Sequence, residues 1–105
     1  MTSDLSTRQD DAASQDAHSR LLELRASIDN LDSAVVHLLA ERFKCTRQVG
    51  RLKAEHGMPA VDSDREVVQI RRLRLLAEES HLDPEFAEKF LTFIIDEVVR
   101  NHRSL

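Results

Sequence analysis

The chain has 105 residues and a formal net charge of -4 at pH 7, which fits one domain with a modest core. Two glycines and two prolines leave little material for the turns of an all-β fold, and the acidic balance argues against nucleic-acid binding. No apolar run approaches the ~20 residues of a membrane span, and the N-terminus lacks the apolar stretch of a signal peptide. We therefore expect an all-α, cytoplasmic protein with no membrane partner.

The N-terminal part of the chain divides into an arm and a long helix. Residues 1–17 are rich in Ser, Thr, Asp and Gln, a composition that predicts a disordered arm. Helix one is predicted from about His18 to Glu55, because Gly57 and Pro59 follow as a stop signal. The remaining residues, 18–105, form the predicted helical domain.

Two shorter helices are predicted after the first. Helix two starts near Ser63, where residues 63–66 have the form of a capping box, and helix three opens with Asp83 as N-cap and Pro84 at the first helical position. Helix three fades near Arg103. On helix two, the residues predicted to be buried are Val67, Ile70, Ala77 and either Leu73 or Arg74. Arg71 and Arg72 are predicted to face outward. The apolar positions of helix three are Phe86, Phe90, Phe93, Ile94 and Val98.

A heptad seam runs along helix one, with steps of three and four residues that predict packing along its whole length. Its positions are Leu21, Leu24, Ile28, Leu31, Val35, Leu38, Arg42, Cys45, Val49 and Leu52. An unpaired buried guanidinium is costly, so at Arg42 either the seam opens to solvent or an anion meets the side chain. Cys45 is the only cysteine, and we expect it to be a buried small side chain in a reducing compartment.

Three helices joined by short turns cannot bury so long a seam within one chain. We therefore predict an intertwined homodimer in which six helices share one core. Arg25 lies about 42 Å from Lys53 along a straight helix at 1.5 Å per residue. It could therefore reach the region of Arg42 and Lys53 only in the partner chain.

Polar residues at three places could complete a pocket. Arg42 and Lys53 lie three turns apart on nearly the same helix face. Asp62, Arg65 and Glu66 lie at the start of helix two, and His102 lies one turn beyond Val98. Two arginines and one lysine suit a small dianion, because guanidinium groups bind carboxylates bidentately.

Each of these side chains also has a simpler interpretation. Arg25 and Lys53 could be solvated helix residues, and His102 could be a surface histidine. Asp62 and Glu66 could only cap helix two. For Arg42, the possible ion-pair partners are Asp32, Glu41 or an acid of the partner chain. No metal-ligand spacing, nucleophile–base pair or glycine-rich phosphate loop is present in the sequence, so these patterns predict no metal site and by themselves name no reaction.

Three segments carry a family resemblance. Residues 21–42 (LLELRASIDNLDSAVVHLLAER), 49–66 (VGRLKAEHGMPAVDSDRE) and 81–102 (HLDPEFAEKFLTFIIDEVVRNH) resemble the small all-helical chorismate mutases, a dimeric class. The resemblance implies an isomerase that converts chorismate to prephenate by a Claisen rearrangement in phenylalanine and tyrosine biosynthesis. It also implies that no cofactor takes part.

The resemblance assigns roles to the basic residues. Arg25 is similar to the arginine that crosses the dimer to bind one substrate carboxylate, and Arg42 to the arginine that binds the other carboxylate. Lys53 resembles the lysine that contacts a carboxylate and the ether oxygen of the breaking bond. Arg42, Lys53 and His102 are the implied catalytic group.

The remaining site positions include two departures from the family pattern. Asp62, through its backbone, and Glu66, through its carboxylate, resemble the groups that hold the substrate hydroxyl, and Arg65 resembles an arginine of the pocket wall. Val98 stands where a small hydroxyl residue is common. His102 stands where a glutamine commonly donates to the ether oxygen, so we expect turnover that depends on pH.

Two other functions remain open on the sequence. Isochorismate pyruvate lyase shares this fold and a similar basic pocket. A non-catalytic mutase-like dimer that regulates a partner enzyme is the second alternative. Retention of Arg25, Arg42, Lys53 and Glu66 argues against the non-catalytic dimer, because a scaffold does not need four polar groups in one pocket.

Overall fold

The computed structural model describes the backbone of residues 2–103 and the side chains of residues 7–103, and within that range the protein is all-α. Its helices are α1 (Thr2–Glu55), α2 (Ser63–Glu79) and α3 (Pro84–Arg103). The predicted fold class and the long first helix are confirmed. Met1 and residues 104–105, which the predicted arm and domain include, lie outside the described residues. The chain forms two compact units, Met1–Ala40 and Glu41–Leu105.

The start of α1 differs from the prediction. The helix begins at Thr2 and not near His18, so residues 2–17 are helical where a disordered arm was expected. No proline or glycine interrupts the sequence before Gly50, so no residue in this segment breaks the helix. Every side chain from 7 to 38 is exposed, and packing therefore adds nothing to the stability of this part.

The apolar seam in the first unit is uncovered. Its side chains keep large exposed fractions, with Leu31 at 65% and Leu38 at 69%. An apolar stripe of this length on a protein surface marks an interaction face. The second unit contains the rest of the seam, where Val49 and Leu52 are also exposed.

The ends of α1 and α2 are closed by left-handed residues. Gly57 has φ 65°, and the Met58 N–H donates to the Lys53 carbonyl at 2.8 Å, the bond that ends a helix in the Schellman pattern. His81 takes φ 58° at the end of α2, where the Leu82 N–H donates to a carbonyl at 2.8 Å. The end of α1 agrees with the stop predicted at Gly57.

The core of the second unit lies between α2 and α3. Its buried apolar residues are Ala77, Ala87, Leu91, Ile94 and Ile95. The two alanines let the helix backbones approach closely, and an ion pair between Arg74 and Glu88 (3.5 Å) joins the same two helices. This pair is half-exposed and adds little stability.

Some side chains of α2 and α3 that were predicted to lie on buried apolar faces are exposed in the single chain. On α2, Ala77 is buried and Ile70 and Leu73 are half-buried, as predicted, but Val67 is 55% exposed. On α3 the three phenylalanines are exposed, and two of them, Phe86 and Phe90, stack with ring centroids 6.4 Å apart. None of the described helices is long and apolar enough to cross a membrane.

Candidate active site

A cavity of about 250 Å³ lies in the second unit, with walls from all three helices. Each helix contributes positions spaced by three or four residues, which is one face of an α-helix. The residues that line it are Arg42, Cys45, Thr46, Val49 and Lys53 of α1, Ala60 and Asp62 of the connecting loop, Arg65, Glu66 and Gln69 of α2, and Ile95, Val98, Val99 and His102 of α3.

Arg42 lies on the α1 wall with an unsatisfied group. The residue is half-buried, and its Nη1 atom is buried without a hydrogen-bond partner among the described residues. The predicted alternative, an ion pair with Glu41, does not form, because Glu41 accepts from Lys44 at 2.9 Å. A buried cationic donor without a partner is costly, so the Arg42 Nη1 is a donor available to an anionic ligand.

Cys45 lies on the same wall and corrects a prediction. It is exposed in the single chain, whereas its position on the seam predicted burial. Val49, one turn later on the seam, also lines the cavity and is exposed as well, so this part of the seam borders the cavity.

Lys53 is placed by the end of α1. The turn at Gly57 folds the chain back over the last turn of the helix, and the Lys53 Nζ donates to the Ala60 carbonyl at 3.3 Å. The half-buried ammonium group therefore lies beside the cavity wall that the loop forms. Two of its three N–H donors remain for a ligand.

The start of α2 brings acids and an arginine to the cavity. Asp62 is the N-cap, and its side chain accepts from the Arg65 N–H at 3.0 Å. The capping residue therefore precedes Ser63, which the sequence predicted as the start of a capping box. Arg65 is exposed and Glu66 is half-buried, so both groups can meet a ligand at this wall.

On α3, His102 contacts α1 directly. Its Nε2 lies 2.8 Å from the Thr46 carbonyl oxygen, and since a carbonyl only accepts, Nε2 must carry the proton. Nδ1 is buried without a partner. A neutral ring can only accept at Nδ1, whereas an imidazolium donates there. Val98, one turn earlier, adds an apolar surface.

Seven of the eight predicted site residues line one cavity: Arg42, Lys53, Asp62, Arg65, Glu66, Val98 and His102. Arg25 does not line it; it lies in the first unit and is exposed. Sequence reasoning missed Thr46 and Gln69. Both could have been found from helical spacing, because they lie one turn after Arg42 and Glu66.

Comparison with known proteins gives a consistent result. The family model described as chorismate mutase type II matches residues 24–103. The chain is 31% identical to the chorismate mutase of Methanocaldococcus jannaschii over 73% of this chain and 78% of that protein. It is 33% identical to the T-protein of Haemophilus influenzae over 77% of this chain. It is 35% identical to the bifunctional chorismate mutase/prephenate dehydratase of Escherichia coli K12 over 81% of this chain. The chain spans 22% of the length of each of the last two proteins.

Proposed function

Because the chain belongs to the chorismate mutase type II family, we propose that it is a chorismate mutase, an isomerase that converts chorismate to prephenate. One observation carries the proposal. The two buried side-chain polar atoms without partners in the described part of the chain, Arg42 Nη1 and His102 Nδ1, both belong to residues that line the same cavity. A bound dicarboxylate ether supplies acceptors for such groups.

The basic residues of α1 fit the charge of the substrate. Chorismate carries two carboxylates, a ring hydroxyl and an enol ether. The Arg42 guanidinium binds one carboxylate, which supplies an acceptor for the Nη1 that has no partner among the described residues. Lys53 reaches a carboxylate and the ether oxygen from the end of the same helix face.

The proposed rearrangement is intramolecular, so the protein supplies orientation and electrostatic stabilisation. The cavity holds chorismate in the compact conformer in which the bond-forming carbons approach. As the ether bond breaks, negative charge grows on its oxygen. Lys53 and His102 then interact more strongly with the transition state than with the ground state.

The Thr46 contact determines the form in which His102 acts. With Nε2–H donated to the Thr46 carbonyl (2.8 Å), only Nδ1 is left to face a ligand. Donation from Nδ1 to the ether oxygen requires the imidazolium, so the protonated ring is the proposed active form. The resulting pH dependence distinguishes His102 from an amide at the same place.

The start of α2 is the proposed hydroxyl-binding wall. Glu66 accepts a hydrogen bond from the ring hydroxyl, and the backbone of Asp62 contacts the same group. The Asp62 side chain accepts from the Arg65 N–H, which holds this residue, and with it the backbone that takes this role, at the start of α2. Arg65 lies at the exposed edge of the cavity.

The proposed enzyme is a cytoplasmic homodimer in which Arg25 of one chain completes the site of the other. The exposed seam supports pairing, since Leu21, Leu24, Ile28 and Leu31 are each at least 41% exposed and surround Arg25 in the sequence. Pairing two chains along this face would cover the apolar side chains and bring a second guanidinium to the dianion.

The deciding experiment follows the loss of chorismate by ultraviolet absorbance with the purified protein and identifies the product. Prephenate is expected, with activity lost in Arg42→Ala. Arg47→Ala is the matched control, because Arg47 is exposed and does not line the cavity. Absence of chorismate turnover would overturn the proposal, and release of pyruvate from isochorismate in its place would identify a lyase.

A further inference from the structure

The side chain of Gln69 is a polar group in the cavity for which the proposed mechanism has no role. It is half-buried and lines the cavity on α2. In residues 7–103 its amide has no hydrogen-bond partner. A glutamine amide that stabilises the fold normally forms hydrogen bonds with backbone or side-chain groups. The amide of Gln69 forms none of these and is therefore available to a ligand.

Gln69 lies one turn after Glu66 on the same face of α2. Residues three apart on a helix are neighbours, with Cβ atoms about 5–6 Å apart. The two side chains therefore meet the same part of a bound molecule. Arg42 and Lys53 attract the substrate carboxylates toward α1, whereas the Glu66 carboxylate repels them from α2. The neutral ring hydroxyl is the polar substrate group that suits this wall.

The hydrogen-bonding capacities of the two groups are complementary. A hydroxyl has one proton to donate and two lone pairs that accept. Ionised Glu66 only accepts, so it satisfies the proton, and the backbone of Asp62 meets at most one of the two lone pairs, which leaves the other without a donor. The amide of Gln69 has two N–H donors and no charge, so it can satisfy that oxygen.

Resting on the proposed function, we propose that Gln69 is a specificity-determining residue whose Nε2–H donates to the ring hydroxyl oxygen while Glu66 accepts the hydroxyl proton. The pair fixes the position of the hydroxyl on the ring. A ring isomer with its hydroxyl on another carbon leaves both protein groups unpaired, and unpaired buried polar groups are strong discriminators.

The test compares Gln69→Met, which keeps the length of the side chain, with Gln48→Met. Gln48 is an exposed glutamine of α1 outside the cavity. The kcat/KM for chorismate is expected to fall about threefold to tenfold in Gln69→Met, the loss of one hydrogen bond, and to stay unchanged in Gln48→Met. Gln69→Glu removes the donor at the same size and should lose at least as much.

A second ligand tests whether Gln69 binds the ring hydroxyl or only packs against the ligand. The inhibition constant of a chorismate analogue with hydrogen in place of the ring hydroxyl should be the same for wild type and Gln69→Met. An equal loss for chorismate and the deoxy analogue would overturn the inference, as would wild-type kinetics in both Gln69 variants. If Gln69→Met does not fold by circular dichroism, the same comparison with the uncharged variant Gln69→Leu decides. Wild type that leaves chorismate unchanged would instead refute the proposed function.

Discussion

Lys53 combines a structural position with a chemical role. Its carbonyl closes the end of α1 by accepting from the Met58 N–H (2.8 Å), and its ammonium group bonds to the Ala60 carbonyl (3.3 Å). The first bond belongs to the backbone and survives substitution of the side chain. Replacing the Lys53 side chain therefore tests the role of its ammonium charge without removing the backbone bond that closes α1.

Replacing Lys53 by alanine should lower kcat about a hundredfold to a thousandfold, the usual effect of removing one group that stabilises transition-state charge. Steady-state kinetics with chorismate measures it. Lys44→Ala is the matched control, since Lys44 forms an exposed pair with Glu41 of little energetic value. A Lys53→Ala variant with near wild-type turnover would contradict the assignment.

His102 should make turnover depend on pH. Only the imidazolium has a proton on Nδ1 when Nε2–H is bonded to Thr46. We expect kcat to fall as pH rises, whereas His102→Gln should show a flat profile, because an amide donates at every pH. Identical profiles for the two proteins would rule out this role.

Among the elements, α2 depends on its first residues. Asp62 caps the helix, and its carboxylate also lies at the favourable N-terminal end of the helix dipole. The same turn presents Arg65 and Glu66 to the cavity, so the stability of this helix start and the geometry of the proposed hydroxyl-binding wall are linked.

Asp62→Ala should lower the free energy of unfolding by about 1 kcal/mol, the typical value of an N-cap. Asp62→Asn should keep most of that stability, because asparagine caps equally well. Urea denaturation of both variants measures the difference. Equal destabilisation by alanine and asparagine would mean that the charge, and not the hydrogen bond to Arg65, stabilises this end.

The helix ends were predictable where a local signal exists. Gly57 and Asp83 gave correct boundaries, because a positive φ and an N-cap bond (Asp83 accepts from the Glu85 N–H at 3.0 Å) depend on neighbouring residues only. The start of α1 has no such signal, so the sequence predicted it incorrectly. The exposure of Phe86 and Phe90 was not predictable either, since periodicity finds an apolar face without naming the surface that covers it.

At the scale of the whole molecule, the uncovered seam predicts association. Leu31→Lys should shift the protein from dimer to monomer in sedimentation velocity and abolish turnover, since it puts a charge on the seam. Asn30→Lys, the neighbouring exposed position off the seam, should remain dimeric and active. A dimeric and active Leu31→Lys protein would show that pairing uses another face.

A shared site predicts complementation between two inactive chains. Arg25→Ala should act mainly on substrate binding, and Lys53→Ala on turnover. Co-refolded in equal amounts, these variants form mixed dimers with one intact site. At chorismate concentrations well below KM, where both single variants are inactive, about a quarter of the wild-type rate should return, because random pairing makes half of the dimers mixed and each has one intact site of two. No recovery in dimers shown to be mixed would mean that each chain uses its own Arg25.

The unsatisfied atoms Arg42 Nη1 and His102 Nδ1 also link ligand concentration to folding. Each buried polar atom without a partner costs about 1–3 kcal/mol, and a ligand that satisfies both removes that cost only from the folded state. By mass action the folded state gains RT ln(1 + [L]/Kd). If the cavity binds the proposed substrate, the amount of folded protein in a cell would rise with the supply of that substrate, and the protein level would follow the abundance of the metabolite.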